Sequence, residues 1–271
     1  VDVSCGRAHT LVVSGGGRLY SFGEGDAGQL GHAGGGAGGR PMRCGGALTG
    51  MHVQRAWSSA LCDASFARAD GGGGGDGGGG PRYLMWGRVP GGVDGEVWRV
   101  AEEVDGLCGL DVVAIVAGAS HCLAVLSGGD VLAWGSAADA DADADVPART
   151  APGKAAPADS PVLRPESTGG GAMGCHLSGP VRAPLRLSSL DRLAVTQLAC
   201  GDGPHTLALG APEWGGHVYS WGRNTRGELG GGEHDAGCAA PRRVCSGALA
   251  GRSEPLLHVS AGAHFSLVSG A

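Results

Sequence analysis

Long apolar runs are missing from this sequence. The longest, around Val112–Ala117, is far too short to span a membrane. Long basic runs are missing as well. Arg242-Arg243 is the densest basic pair and the formal net charge is -6, so a nucleic-acid face in this segment is not expected. There is no nucleophile elbow, zincin helix or Walker loop. Asp139, Asp141, Asp143 and Asp145 alternate with Ala, but the Gly turn and bidentate Glu of a calcium loop are absent. Nothing in the pattern asks for a catalytic group, a metal or a cofactor. The nine cysteines are odd in number and none forms C-x-x-C, which fits a reducing compartment and an intracellular place, cytoplasm or nucleus.

Glycine, by contrast, is abundant: 56 residues, with 14 Pro, in 271. It is unevenly spread. Gly71–Gly80 and Ser136–Pro180 are low-complexity insertions, expected to be disordered because they cannot bury enough apolar surface. Long loop insertions cost little extra closure entropy, so a compact fold can carry them.

One glycine-rich stretch, SFGEGDAGQLG (Ser21–Gly31), spells G-x-G-x-x-G. That fingerprint signals a dinucleotide site only between a strand and a helix. Here QLGHAGGGAGGRP follows, which cannot start a helix, and Glu24 and Asp26 would repel a pyrophosphate. A second copy, SWGRNTRGELG (Ser220–Gly230), matches at Ser, three Gly and Leu, and carries Asn224 at the middle Gly. A turn tolerates Asn where a phosphate cradle does not. The stretch is therefore a turn in a repeat. Gly28 and Gly227 are expected in conformations closed to β-branched residues, with Leu30 and Leu229 turned inward. Glu24, Asp26, Arg223 and Arg226 remain on the rim as candidate partner-binding residues, and Gly25→Asn should be nearly silent.

A second motif precedes each copy: CGRAHTLVV (Cys5–Val13), AGASHCLAV (Ala117–Val125), CGDGPHTLAL (Cys200–Leu209) and AGAHFSLV (Ala261–Val268). Its common form is G-x-x-H-[ST]-L, built on Gly6, His9, Gly118, His121, Gly201, His205 and Gly262, with Phe265 in the last His slot. A decayed version, AWSSALCDA (Ala56–Ala64), has Ser58 in the Gly slot. Aromatic-Gly pairs follow at Phe22-Gly23, Trp86-Gly87, Trp134-Gly135 and Trp221-Gly222. The residues before each pair alternate with period two, which means strand, and SGGD (Ser127–Asp130) is a hairpin signal. PMRC (Pro41–Cys44) and PRRVC (Pro241–Cys245) supply a further strand, with Pro at an edge. VVAIVAG (Val112–Gly118) and VTQLACG (Val195–Gly201) supply another. About four strands per repeated unit make an all-β chain of four-stranded antiparallel blades, a β-propeller. The recurring His is expected to bond a backbone carbonyl, and the aromatics to pack between blades.

These paired motifs resemble the regulator of chromosome condensation repeat family. The resemblance implies a propeller, here incomplete: about four blades plus part of a fifth. The units fall at approximately 1–52, 53–111, 112–194 and 195–257, with the start of another at 258–271. Because the sequence starts and stops at the same phase of the repeat, it is expected to be an excerpt of a longer chain. The resemblance implies a protein-interaction scaffold within a regulatory protein. It also implies an alternative, guanine-nucleotide exchange on a small Ran-like GTPase, the activity of the founding family member.

Overall fold

A computed structural model describes residues 1–70, 80–90, 96–136, 180–202, 204–232, 237–252 and 254–270. The insertions expected at 71–80 and 136–180 lie outside the described residues, apart from Gly80, Ser136 and Pro180.

Every sheet is antiparallel and built from consecutive strands. The first holds β1 (Asp2–Cys5), β2 (His9–Val13), β3 (Leu19–Gly23) and β4 (Gly38–Arg43). The second holds β5 (His52–Ser58), β6 (Ala64–Asp70), β7 (Arg82–Arg88) and β8 (Val97–Glu103). In the third are β9 (Val112–Ala117), β10 (His121–Leu126), β11 (Val131–Ser136) and β12 (Pro180–Arg186). In the fourth are β13 (Val195–Cys200), β14 (His205–Gly210), β15 (Val218–Gly222) and β16 (Cys238–Arg243). A hairpin of β17 (Leu256–Ala261) and β18 (Ser266–Gly270) ends the described chain. Helix among the described residues is limited to short 3-10 turns, such as Gly46–Leu48 and Ser188–Leu190, which bury Leu48 and Leu190 in the links between sheets. The chain thus forms four blades and half of a fifth in an incomplete β-propeller. The outermost strands begin earlier than the proline signal placed them, at Gly38 and Cys238, because the chain before Pro41 and Pro241 already pairs with the third strand.

Period two does not sort these residues into core and solvent, because each inner blade is sandwiched between two others. Tyr83, Leu84, Met85 and Trp86 are all buried although they alternate between faces. The apolar clusters accordingly lie between blades. Phe66 of the second blade meets Trp134 of the third edge to face, ring centroids 6.3 Å apart. Leu123 and Val125 of the third join Ala208 and Trp221 of the fourth.

The aromatic-Gly pair has one explanation in all four blades. A register shift between the third and fourth strands sits at the aromatic residue, and the Gly after it takes a positive φ, between 92° and 115°. A Cβ on that Gly would strike the carbonyl just before the His slot: Ala8, Asp63, Ser120 or Pro204, at 2.0–2.6 Å. The next residue then donates its amide to that same carbonyl, as Glu24 does to Ala8 (2.8 Å) and Arg223 to Pro204 (2.9 Å). Only Gly lets the strand bulge and approach so closely.

Candidate functional site: the motif lock and the loop rim

The antiparallel order puts two kinds of loop at one end of every blade, those joining strands one to two and those joining strands three to four. Both repeat motifs therefore meet at this rim.

The first motif is a lock between blades. Its Gly amide donates to the carbonyl of the His slot: Gly6 to His9 (2.8 Å), Gly118 to His121 (2.9 Å), Gly201 to His205 (2.9 Å) and Gly262 to Phe265 (2.9 Å). The ring then folds back over the Gly, where a Cβ would lie within 2.0–2.7 Å of it. Gly is needed here for space. The imidazole reaches the next blade: His9 Nε2 lies 2.8 Å from Ser65 Oγ, and His121 Nε2 lies 3.0 Å from Thr206 Oγ1. Both hydroxyls stand in the [ST] slot of the following copy. This corrects the expected carbonyl partner: a strand's own carbonyls are taken by its ladder, whereas the neighbouring blade presents a buried hydroxyl at ring distance. Burial lowers the pKa of both imidazoles, that of His121 to about 4; Asp63 partly offsets the effect at His9, and His205 adds to it at His121. His205 is fully buried in the same slot.

In the second blade the structure places Ser59, not Ser58, in the Gly slot. Ser59 donates its amide to Ala64, which occupies the His slot. With no ring to accommodate, a side chain fits. The Ser59 hydroxyl donates to the Ala117 carbonyl of the next blade (2.9 Å) and accepts the Leu61 and Cys62 amides (3.0 Å each).

The second motif is a double turn at the rim. Gly28 donates to Gly25 and Gly31 to Gly28; Gly227 donates to Asn224 and Gly230 to Gly227. Gly28 and Gly227 sit at φ 76° and 83°. Leu30 and Leu229 are buried, and their carbonyls accept the buried hydroxyls of Ser21 (2.6 Å) and Ser220 (2.8 Å). The next blade grips the residue before Leu30: Ser65 Oγ and Trp86 Nε1 both donate to the Gln29 carbonyl, each at 2.9 Å. Ser266 does the same for Glu228 (2.7 Å). The aromatic slots are buried between blades at Trp86, Trp134 and Trp221, whereas Phe22, on the first blade, is half-buried.

The two turns differ at their middle residue. Asn224 is buried and its Oδ1 accepts the Leu229 amide at 3.0 Å. Gly25 faces the Gly36 carbonyl, which a Cβ would approach to 2.1 Å. The expectation that Gly25→Asn is silent fails on this contact: in the first blade the Gly36 carbonyl stands over the position that Asn224 fills in the fourth.

On these anchored turns Glu24, Asp26 and Arg226 are exposed and Arg223 is half-buried. Neither Glu24 nor Asp26 forms an ion pair among the described residues. The double turn thus presents acidic side chains on the first blade and basic ones on the fourth. Sequence reasoning missed Ser21, Ser65, Thr206 and Ser220 as lock residues. The recurring hydroxyl after His and before the aromatic was the signal that could have found them.

Beneath the rim, an open pocket of about 290 Å³ is lined by residues on or next to the first strands, among them Ser59, Ile115, Ala117, Leu198, Cys200 and Ser260. Burial pushes the Cys200 thiol up to about 12, which keeps it protonated and a poor nucleophile. No group of three or more His, Cys, Asp or Glu among the described residues could hold a metal ion. No helix among them is long and apolar enough to cross a membrane.

Comparison with known proteins agrees with this geometry. The pattern for the regulator of chromosome condensation (RCC1) repeat matches residues 215–269, and a second pattern of the same description matches 1–29 and 112–138. The E3 ubiquitin-protein ligase HERC2 of Homo sapiens is 27% identical over 215 residues, covering 77% of this chain and 4% of the relative. Protein pim1 of Schizosaccharomyces pombe is 28% identical over 279 residues, covering 99% of this chain and 45% of the relative. Among solved structures, Prp20p of Saccharomyces cerevisiae, described with its binding to Gsp1p and histones, superposes with a TM-score of 0.65 at 18% identity. That match covers 99% of this chain and 54% of the other. The chain therefore spans only part of the length of these relatives.

Proposed function

We propose that this chain of regulator of chromosome condensation repeats is a protein-docking scaffold that binds its partners through the loop rim. One observation carries the reading: charged side chains of opposite sign, Glu24 and Asp26 against Arg223 and Arg226, stand on turns whose Leu and carbonyl groups are anchored in the core. Such loops present charge in a fixed geometry at low ordering cost, which favours recognition of a folded protein surface. A binding role within a longer regulatory protein, in cytoplasm or nucleus, fits the likeness to HERC2 and Prp20p.

The second reading is nucleotide exchange on a small Ran-like GTPase. The likeness to a structure described with Gsp1p binding supports it. One assay separates the two. The chain is added to Ran loaded with a fluorescent guanine nucleotide, and release is followed. The scaffold reading expects the uncatalysed rate, with partner capture that is lost when Glu24 and Asp26 are changed to Arg or Arg223 and Arg226 to Glu. Release accelerated in proportion to the chain concentration would replace it with exchange.

A further inference from the structure

The fourth-blade turn carries a hydroxyl at its tip. Gly227 donates its amide to the Asn224 carbonyl (3.1 Å), so Thr225 and Arg226 are the central residues of the turn, and both are exposed. Arg223 Nε donates to Thr225 Oγ1 at 3.0 Å. A guanidinium donates and never accepts, so this bond leaves the Thr225 proton unused. Two other hydroxyls that follow an Arg are placed differently. Arg186 precedes Ser188 but is held by Asp130 (2.8 Å) and Asp191 (3.1 Å), carboxylates that would repel a phosphate. Arg243 precedes Ser246, but the Ser246 hydroxyl is spent on the Gly230 carbonyl. The first blade shows that the turn tolerates an anion at the Thr225 slot. Asp26 stands there, exposed, on a turn whose Gly28 has φ 76° against 83° for Gly227.

We infer that Thr225 is a phosphorylation site, its phosphate clamped by Arg223 and Arg226 on the anchored turn. The donor is ATP, brought by a serine/threonine kinase that selects Arg beside its acceptor. Thr225 Oγ1 bonds the γ-phosphorus and the bond from that phosphorus to the bridging oxygen breaks. ADP leaves with the electron pair, and the hydroxyl proton passes to the kinase. The phosphate brings a charge of about −2 and three acceptor oxygens against the two guanidinium charges of the turn. The Arg226 amide is already taken by the buried Glu228 carboxylate (2.8 Å), so the clamp falls to the two side chains. The turn itself holds, because Leu229 is buried and its carbonyl accepts the Ser220 hydroxyl. If the rim docks proteins as proposed above, a consequence that rests on that reading follows: modification cancels the basic charge of the fourth-blade turn and leaves Glu24 and Asp26 as they were.

The test has two parts. The full chain and a peptide of residues 220–230 are incubated with ATP and such a kinase, and phosphate is located by mass spectrometry. Both should be modified at Thr225, and Thr225→Val should abolish modification there. A peptide that is modified while the folded chain is not would overturn the inference, as would modification of neither. The clamp is read by phosphorus NMR on chain and peptide made with phosphothreonine at 225. The second ionisation of that phosphate, ordinarily at about pH 6, should have a constant at least about threefold larger in the chain than in the peptide. Arg223→Gln should remove the difference, and equal constants in chain and peptide would overturn the clamp. A protein whose capture is lost in Arg223→Glu and Arg226→Glu should also be released by phosphorylation, and its retention would overturn the charge cancellation. A chain that captures no protein through these arginines sinks the docking reading alone, and the mass and NMR results still decide the phosphate site.

Discussion

Two kinds of interface hold these blades together, and the molecule contains both. Between the first and second blades, and between the third and fourth, an imidazole crosses to a hydroxyl over a Gly that makes room for the ring. Between the second and third, the ring, the Gly and the hydroxyl are all replaced. Ser59 carries the crossing bond instead, to the Ala117 carbonyl, and Ala64 lies in one apolar cluster with Cys122. The difference teaches that the motif residues form one linked unit: losing His removes the need for Gly and makes a hydroxyl opposite it costly.

The sharpest break in this contrast is His121→Ala. It empties a fully buried ring site and deletes a cross-blade bond, so a loss of about 4 kcal/mol in urea unfolding is expected. Ala64→Gly, at the matching slot of the other interface, should cost far less.

Acid should probe the same site with slightly smaller effect. The His121 pKa falls from 6.5 to about 4 on folding, so the unfolded chain binds more protons between those values. The contribution is complete above about pH 6.5 and is lost as pH falls to about 4. It amounts to about 3 kcal/mol, with no further loss from this group below that. His9 adds in the same direction. Unfolding free energies measured from pH 7.5 to 4 should flatten in His121→Gln.

Gly118→Ala tests the space argument. Its Cβ would lie 2.7 Å from the buried His121 ring, so about 2 kcal/mol should be lost. In His121→Ala the added methyl should cost almost nothing, a non-additivity that a double-mutant cycle reads directly.

The smallest effect is expected at the substitute lock. Ser59→Ala removes the bond to Ala117 and the acceptor for two loop amides, at a cost of about 1 kcal/mol by thermal unfolding. A loss as large as that of His121→Ala would show that the two kinds of interface are equivalent.

Much of this was legible in the chain. The alternation before each aromatic-Gly pair announced the strands, and the second copy with Asn224 reassigned a nucleotide fingerprint to a turn. The rest was hidden for physical reasons. The partner of His9 is 56 residues away in the chain, and that of His121 is 85. No local pattern reports a bond across such a distance. Ser59 was misplaced by one position because a four-residue loop, Ala60–Asp63, replaces Arg7-Ala8, and only strand register counts such an insertion. Gly25 and Asn224 looked exchangeable because a turn constrains backbone angles. The obstacle is a carbonyl from another part of the loop.

The sequence by itself determined the local grammar: strands by period two, bulges and double turns by Gly, the repeat by its paired motifs, and the side chains available for a lock. Those are short-range matters of backbone sterics and side-chain shape. Tertiary structure decided which face met which blade and which hydroxyl received each imidazole. Such pairings depend on distances between residues tens of positions apart, fixed only when the blades stack and exclude water from between them.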